Sequence, residues 1–554
     1  MIATEPPAAA LSAISRRGLL RSAGLAGAGL AAAAPLSAQL RARGFTHGVA
    51  SGEPGADGVL LWTRFVGAQD IALEWQVSET LDFARTVSAG TLAASAQNDW
   101  CAKVRADGLA PGRWYYYRFI APDGSISDTG RTRTLPVGET ARFRIALVGC
   151  SNMGFGHFNA YGAIAEADRT DLVIHSGDYF YEYPGDTYPS QDQRVPGRLA
   201  LPADRETVLL ADYRLRHASY RADLDLRRLH QLFPMVLGWD DHESANDSWK
   251  GGAQNHQSET EGEWDARKIA AMRAYREWLP VSDAPWTSYQ VGDLATILRT
   301  ESRLLGRDKP PELADVLAKG MRGDGAVQAL AEFRSGEWMS DERSMFGAEQ
   351  ERWIARQFKA STASGTRWQV MAQQTVMGSL SMPDAVAEGM TADIPDYIKQ
   401  RIRAAAAASA VGLPFNMDAW DGYPAARERL LRSALDADAN LLVLSGDSHN
   451  GWACNLDVDG TPAGVEFAGQ SVTSPGAENS LPWIPADDLA RALEEKNPQL
   501  EWAGLQGRGY VAIELTQDRA VSEWRFLETI RQRSTRIAGT HRMATAPGAQ
   551  RFTG

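Results

Sequence analysis

Four short apolar runs, each breaking off into a knot of polar and ionisable side chains, restrict this chain more than any other feature of its sequence. Arg144-Ile145-Ala146-Leu147-Val148-Gly149 opens onto Cys150-Ser151-Asn152, and Asp171-Leu172-Val173-Ile174-His175 onto Ser176-Gly177-Asp178-Tyr179-Phe180-Tyr181. Met235-Val236-Leu237-Gly238 runs into Trp239-Asp240-Asp241-His242-Glu243, with Asn246 and Asp247 close behind. Leu441-Leu442-Val443-Leu444 runs into Ser445-Gly446-Asp447-Ser448-His449-Asn450. Runs that are apolar without alternation fit strands covered on both faces. Helical patterns fall between them, at 263–279 and 349–361, so an α/β sheet is expected, and such sheets carry their sites at strand ends.

Carboxylates at the mouth of a buried strand carry a large desolvation penalty unless a cation meets them. Taken singly, each knot has an ordinary explanation. Asp after Gly is usually a turn or cap residue, and a cysteine is often core filling. Packing is the reading for Cys101 and Cys454, whereas the position of Cys150 leaves packing and ligation equally open. The spacing Gly177-Asp178-x-x-Tyr181 lets a carboxylate leave the strand and a phenol return to the same point one turn later. A carboxylate can bridge two cations, and a phenolate suits a hard trivalent ion. Together the strand ends carry Cys150, Asp178, Tyr181, Asp241, His242, Asp447 and His449, a mixed set suited to two or more metals.

The 554 residues carry a formal net charge of -12, which argues against non-specific grip on nucleic acid or anionic membranes and requires a locally positive centre for any polyanionic substrate. Three distant cysteines cannot build a disulfide framework. At the start, Ser15-Arg16-Arg17-Gly18-Leu19-Leu20-Arg21 precedes a weakly hydrophobic Gly/Ala/Leu run ending in Pro35-Leu36-Ser37-Ala38, which resembles a twin-arginine signal peptide cleaved near Ala38. Several glycines and Arg21, in a run that barely reaches the roughly 20 residues a bilayer needs, make a stable membrane span a poor alternative. Export through the twin-arginine translocase, to the periplasm or beyond, is therefore expected, and that route often carries proteins that fold around a metal first. Between Phe45 and Thr134, short runs such as Ile71-Ala72-Leu73-Glu74-Trp75-Gln76-Val77 and Trp114-Tyr115-Tyr116-Tyr117-Arg118-Phe119 are broken by turn signals, as in a β-sandwich. Leu135-Pro136-Val137-Gly138 is the natural linker after it.

With these motifs the chain resembles the alkaline phosphatase D (PhoD) family, whose fold is similar to that of purple acid phosphatases. The resemblance extends to His47-Gly48-Val49-Ala50-Ser51-Gly52-Glu53-Pro54, Met345-Phe346-Gly347 with Gln350 and Trp353, Trp420-Asp421-Gly422-Tyr423, and Glu466-Phe467 with Ser471-Val472-Thr473-Ser474. It implies a mixed β and α/β fold: an N-terminal fibronectin III-like β-sandwich followed by a four-layer αββα metallophosphoesterase domain. The units expected are a signal peptide at 1–38, the sandwich at 42–136 and the phosphoesterase domain at 141–535. The resemblance also implies Fe(3+) with Ca(2+). Cys150, Asp178, Tyr181 and His449 then hold iron, Asp178 bridges, Asp241 and Asp447 face calcium, and His242 meets the phosphate or leaving group. Purple acid phosphatases carry a metal-binding histidine after the strand that corresponds to 368–372; Gln373 and Gln374 stand there, which suits calcium.

The reaction expected is hydrolysis of a phosphate ester, with the cations neutralising phosphoryl oxygens and a metal-bound hydroxide attacking in line. Cys150 is then a ligand, since no His-Asp pattern surrounds it as a cysteine hydrolase would require. Rival readings are a phosphodiesterase or phospholipase D-like hydrolase, and a non-catalytic exported binding protein stabilised by metal. Arg303 could orient a phosphate, but pairing with a surface carboxylate is the favoured reading, and Tyr213, Arg214 and Tyr220 are read as helix packing. The basic stretch after Leu527 is read as a helix or tail near the cleft.

Overall fold

The computed structural model describes residues 43–320, 325–390, 394 and 396–553; the expected signal peptide lies outside the described residues. Seven strands come first: β1 Gly44–Gly52, β2 Gly58–Val66, β3 Ile71–Ser78, β4 Thr86–Ala94, β5 Cys101–Asp107, β6 Trp114–Ile120 and β7 Gly130–Arg133. The apolar runs then appear as β8 Arg142–Val148, β9 Leu172–His175 and β10 Pro234–Leu237, with helices between them. Next come β11 Thr287–Val291, β12 Ala295–Arg299, β13 Trp368–Ala372, β14 Leu441–Ser445, β15 Gly451–Val458, β16 Thr461–Ala468 and β17 Leu500–Gly504. The last three strands are β18 Gly509–Thr516, β19 Ala520–Leu527 and β20 Ile537–Thr545.

Two large sheets face each other. One runs β20-β19-β18-β8-β9-β10-β1-β2-β5, the other β11-β12-β13-β14-β16-β15-β17. Leu147, Ile174, Val236, Val370, Leu444 and Phe467 meet between them and are all buried, each such side chain contributing about 2 kcal/mol by its removal from water. Strands buried on both faces have no need of alternation, which is why these runs read as continuously apolar. Helices Asn159–Ala167, Leu210–Arg221, Leu224–Leu232 and Trp264–Trp278 cover the outer face of the first sheet. Gly347–Ala363 and Pro424–Leu435 cover that of the second, completing an αββα stack. The helices expected at 263–279 and 349–361 are both present.

The N-terminal strands make a sandwich, with β1, β2 and β5 facing β4-β3-β6-β7 across Val49, Leu61, Trp75, Tyr115, Tyr117 and Phe119. The Tyr115 hydroxyl accepts from Ala110 N at 2.9 Å and pins the corner before β6. One face of this sandwich is not separate. β1 pairs in parallel with β10, with Ser51 opposite Pro234, so the sheet continues into the α/β layers. The expectation of a helix or tail after Leu527 is corrected: β20 pairs antiparallel with β19 along its length. Its basic residues sit on an edge, where Arg542 faces Glu523 at 3.6 Å and His541 stacks on Trp502 at 4.1 Å. Charges there protect an exposed strand from further pairing.

Candidate metal centre

β8, β9 and β10 are parallel neighbours in one sheet, and β13 and β14 are parallel neighbours in the other, so their C-terminal ends open at one edge. At that edge the backbone turns sharply. Cys150, Asp178, Asp447 and His449 all have left-handed φ, between 52° and 63°. Non-glycine residues rarely adopt this region, and when they do in a group it is at sites where surrounding structure holds them there. The glycine before Asp178 is obligatory: a β-carbon on Gly177, itself at φ 113°, would stand 2.6 Å from Asp240 N. Gly149 and Gly446 similarly leave room for the Ser176 hydroxyl. Glu243 ties the second and third ends together, accepting from Asp178 N at 3.1 Å, Tyr179 N at 2.6 Å and Asp240 N at 2.7 Å.

One donor set combines sulfur, oxygen and nitrogen. A thiol, a carboxylate oxygen and a ring nitrogen of Cys150, Asp178 and His449 lie within 4.8 Å of one another. The Tyr181 hydroxyl joins them, 3.0 Å from Asp178 Oδ2 and 2.9 Å from His449 Nε2. His449 Nδ1–H donates to Pro475 O at 2.8 Å, which leaves the Nε2 lone pair pointing inward. The Ser474 hydroxyl stands 2.7 Å from the Tyr181 oxygen and 3.0 Å from Cys150 O.

The adjoining sets are carboxylate-rich: Asp178, Asp241 and His242 form one group, and Asp240, Asp241 and Asp447 another. Asp178 thus belongs to both sides. Arg303 enters the oxygen-rich side, correcting its reading as a surface partner: it is fully buried and donates to Asp240, to Asp418 Oδ2 at 2.7 Å and to Asp447 Oδ1 at 2.9 Å. Gln373 and Gln374 are buried but occupied elsewhere. Gln373 Oε1 accepts from Trp420 Nε1 at 2.9 Å, and Gln374 Oε1 from Ser302 Oγ at 2.7 Å.

His242 is held at the opposite ring nitrogen. Its Nδ1 lies 2.7 Å from Glu182 Oε2, while Glu182 Oε1 accepts from Asn246 N at 2.8 Å and Asn255 Nδ2 at 2.9 Å. The imidazole packs on the Tyr181 ring at 4.0 Å. Burial pushes the His242 pKa down, but the carboxylates of Asp241, Glu182 and Asp178 outweigh it and hold the ring well above its ordinary value.

These electrostatics are those of a cation site. Among the described residues, Asp178 Oδ1, Asp240 Oδ2 and Asp241 Oδ1 are buried without a hydrogen-bond partner. Burial pushes Asp178 and Asp240 well above the carboxylate range and Asp447 up to about 7. The thiol of Cys150 and the phenol of Tyr181 are raised by burial and by Asp178. Burial lowers His449 to about 4, which keeps its ring neutral and able to ligate. Protons therefore occupy these raised groups when no cation does, whereas the Asp241 carboxyl, despite burial, is held below the usual range by Arg303 and His242, and a bound cation displaces the protons. The residues fit a mixed metal centre: soft and aromatic donors on one side, oxygens on the other.

All seven residues expected from the sequence meet here. Several others were not foreseen. Glu182 follows Tyr181 directly, so an acid beside a strand-end phenol was the available signal. Asp418 lies in a loop with no apolar run before it, and nothing in its neighbourhood marks it. Tyr213 and Tyr220 pack as expected yet also brace the site, the first donating to Ser244 O at 2.5 Å and the second accepting from Met153 N at 3.0 Å. Arg214 makes a bidentate pair with Glu277 at 2.7 Å.

The chain compares closely with known proteins. Residues 145–524 match the model of the PhoD-like phosphatases, and residues 29–136 match that of the PhoD-like phosphatase N-terminal domain. Alkaline phosphatase D of Bacillus subtilis (strain 168) is 30% identical over 520 residues, covering 89% of this chain and 79% of that protein. A solved structure described as that of PhoD superposes with a TM-score of 0.74 at 28% identity, over 93% of this chain and 92% of the other.

Proposed function

Because the chain belongs to the PhoD-like phosphatase family, we propose that it hydrolyses phosphate esters at this centre, with Fe(3+) and Ca(2+) as its metals. The observation that carries the reading is the set of orphaned oxygens of Asp178, Asp240 and Asp241, converging with the Cys150 thiol and the His449 nitrogen at buried strand ends. In this reading Cys150, Asp178, Tyr181 and His449 would hold iron, and Asp241 and Asp447 would hold calcium, with Asp178 available to both. When bound, such ions neutralise phosphoryl oxygens and lower the pKa of water from about 15.7 toward about 7.

The chain's own residues supply the rest. Glu182 accepts the Nδ1–H of His242 and, with Asp241 and Asp178, holds the ring as an imidazolium, leaving its Nε2–H to serve the leaving oxygen. An oxygen from water joins phosphorus, the ester P–O bond breaks, the Nε2 proton goes to the departing alcohol, and the proton released by the water restores Nε2–H. Arg303 holds four acids within reach of one another and offsets part of their mutual repulsion. Residues 42–136 act as the sandwich unit and 141–535 as the phosphatase unit. Export by the twin-arginine route through residues 1–38 delivers the enzyme to the periplasm or medium; among the described residues no helix is long and apolar enough to cross a membrane.

The test is metal analysis of the exported protein together with hydrolysis of an aryl phosphate, with and without a calcium chelator. Iron and calcium are expected together, with turnover lost on chelation and restored by calcium. Cys150→Ala should lose iron and activity in step; full activity at unchanged iron content would reject the assignment. Turnover of neither a monoester nor a diester by fully loaded protein would reject the phosphatase reading itself.

A further inference from the structure

The wall beside His242 is aromatic. Tyr183 meets the imidazole edge-on at 5.5 Å, and Tyr188 packs against Tyr183 at 5.7 Å, Tyr181 at 5.8 Å and Phe155 at 4.8 Å. Both tyrosines are only half-buried, and among the described residues neither hydroxyl makes a hydrogen bond. Their backbones, by contrast, are pinned. Tyr183 O accepts from the buried guanidinium of Arg216 at 3.1 Å, and Tyr188 O from Asn152 Nδ2 at 3.2 Å. Tyr183 beside the imidazole and Tyr188 behind it, both held by their main chains and both partly exposed, form a prepared contact surface.

We infer that Tyr183 and Tyr188 are the platform for the alcohol side of the ester, and that the site favours leaving groups containing a flat, uncharged aromatic ring. The inference rests on His242 serving the leaving oxygen. Atoms beyond that oxygen must pass the imidazole, and the imidazole is bordered by Tyr181, which is engaged with Asp178 and His449, and then by Tyr183. On the Arg303 side the centre carries Asp418 and Asp447, which offer no apolar face.

The measurement is kcat/KM for phenyl phosphate and for glycerol 2-phosphate, using metal-loaded wild type, Tyr183→Leu, Tyr188→Leu and the two Tyr→Phe variants. Each Leu variant should lower the phenyl-to-glycerol ratio of kcat/KM about tenfold, chiefly through KM, because stacking on one aromatic ring is worth about that factor. Each Phe variant keeps its ring and should keep the ratio. A ratio unchanged in both Leu variants, or lowered equally by Phe and Leu, overturns the inference. Product inhibition of the wild type is independent of any variant's folding: phenol should compete with phenyl phosphate, and glycerol competing equally well overturns the platform. Wild type that turns over neither ester counts instead against the phosphatase reading.

Discussion

Arg303 is the residue on which the oxygen-rich half of the centre depends. A guanidinium with no exposed surface, facing Asp240, Asp241, Asp418 and Asp447, replaces the water that those acids have lost. Removing one partner of a buried ionic set leaves the others uncompensated, at a cost of about 3–5 kcal/mol. Arg303→Met should therefore lower the unfolding free energy of chelated protein, read by urea titration, by about 3–5 kcal/mol, and reloading metal should recover part of it; an unchanged free energy would contradict this account. Glu182→Gln acts more locally. It keeps the shape beside His242 but not the charge, so kcat should fall about 10- to 100-fold at unchanged iron content, the usual effect of disturbing a partner one layer out from the ligands. The sequence made the ligands legible because each follows an apolar run. It did not make Arg303 legible: Thr300-Glu301-Ser302-Arg303 resembles many surface stretches, and its burial depends on Glu301, whose Oε1 accepts from Arg303 N at 2.8 Å and Trp239 Nε1 at 2.9 Å.

At the scale of elements, the strand ends function because their glycines let two turns approach. Gly177→Ala would drive a methyl group into the Asp240 backbone, where no flexible side chain can yield, and would do so at positive φ. A destabilisation of about 3 kcal/mol is expected from such overpacking, with loss of bound metal beyond what stability alone accounts for. Calorimetry alongside metal analysis checks both, and a variant that keeps its full metal content at wild-type stability would refute the close-approach argument. Elements with strong periodicity were legible, including the helix Trp264–Trp278 and the buried strands. β20 was not, because its Arg542 and His541 read as a solvated tail until Glu523 and Trp502 stand opposite them.

For the whole molecule, acid is the condition to watch. His217 is fully buried with both ring nitrogens unpartnered among the described residues, packed edge-on to Phe180 at 4.8 Å and parallel to Trp278 at 6.4 Å. Burial, helped by Arg221, lowers its pKa to about 3, whereas in an unfolded chain it takes up a proton near about 6.5. Its contribution is therefore intact above pH 6.5 and is lost as pH falls toward 3, at about 1.4 kcal/mol per pH unit. His217→Phe removes that proton uptake and fits the same aromatic surroundings. Urea unfolding between pH 6 and pH 4 should show the variant gaining on the wild type at about that slope; a flat difference would mean that the ring is not held neutral.

The parallel pairing of β1 with β10 also sets an order of events during synthesis. Residues 44–52 leave the ribosome early but cannot complete their sheet until residues 234–237 follow, nearly two hundred positions later. The N-terminal sandwich therefore cannot finish as an independent unit before β10 has been made. Its last edge closes only after two of the four metal-bearing turns exist and as the third emerges, so assembly of the front of the molecule reports that the first half of the centre has already been built.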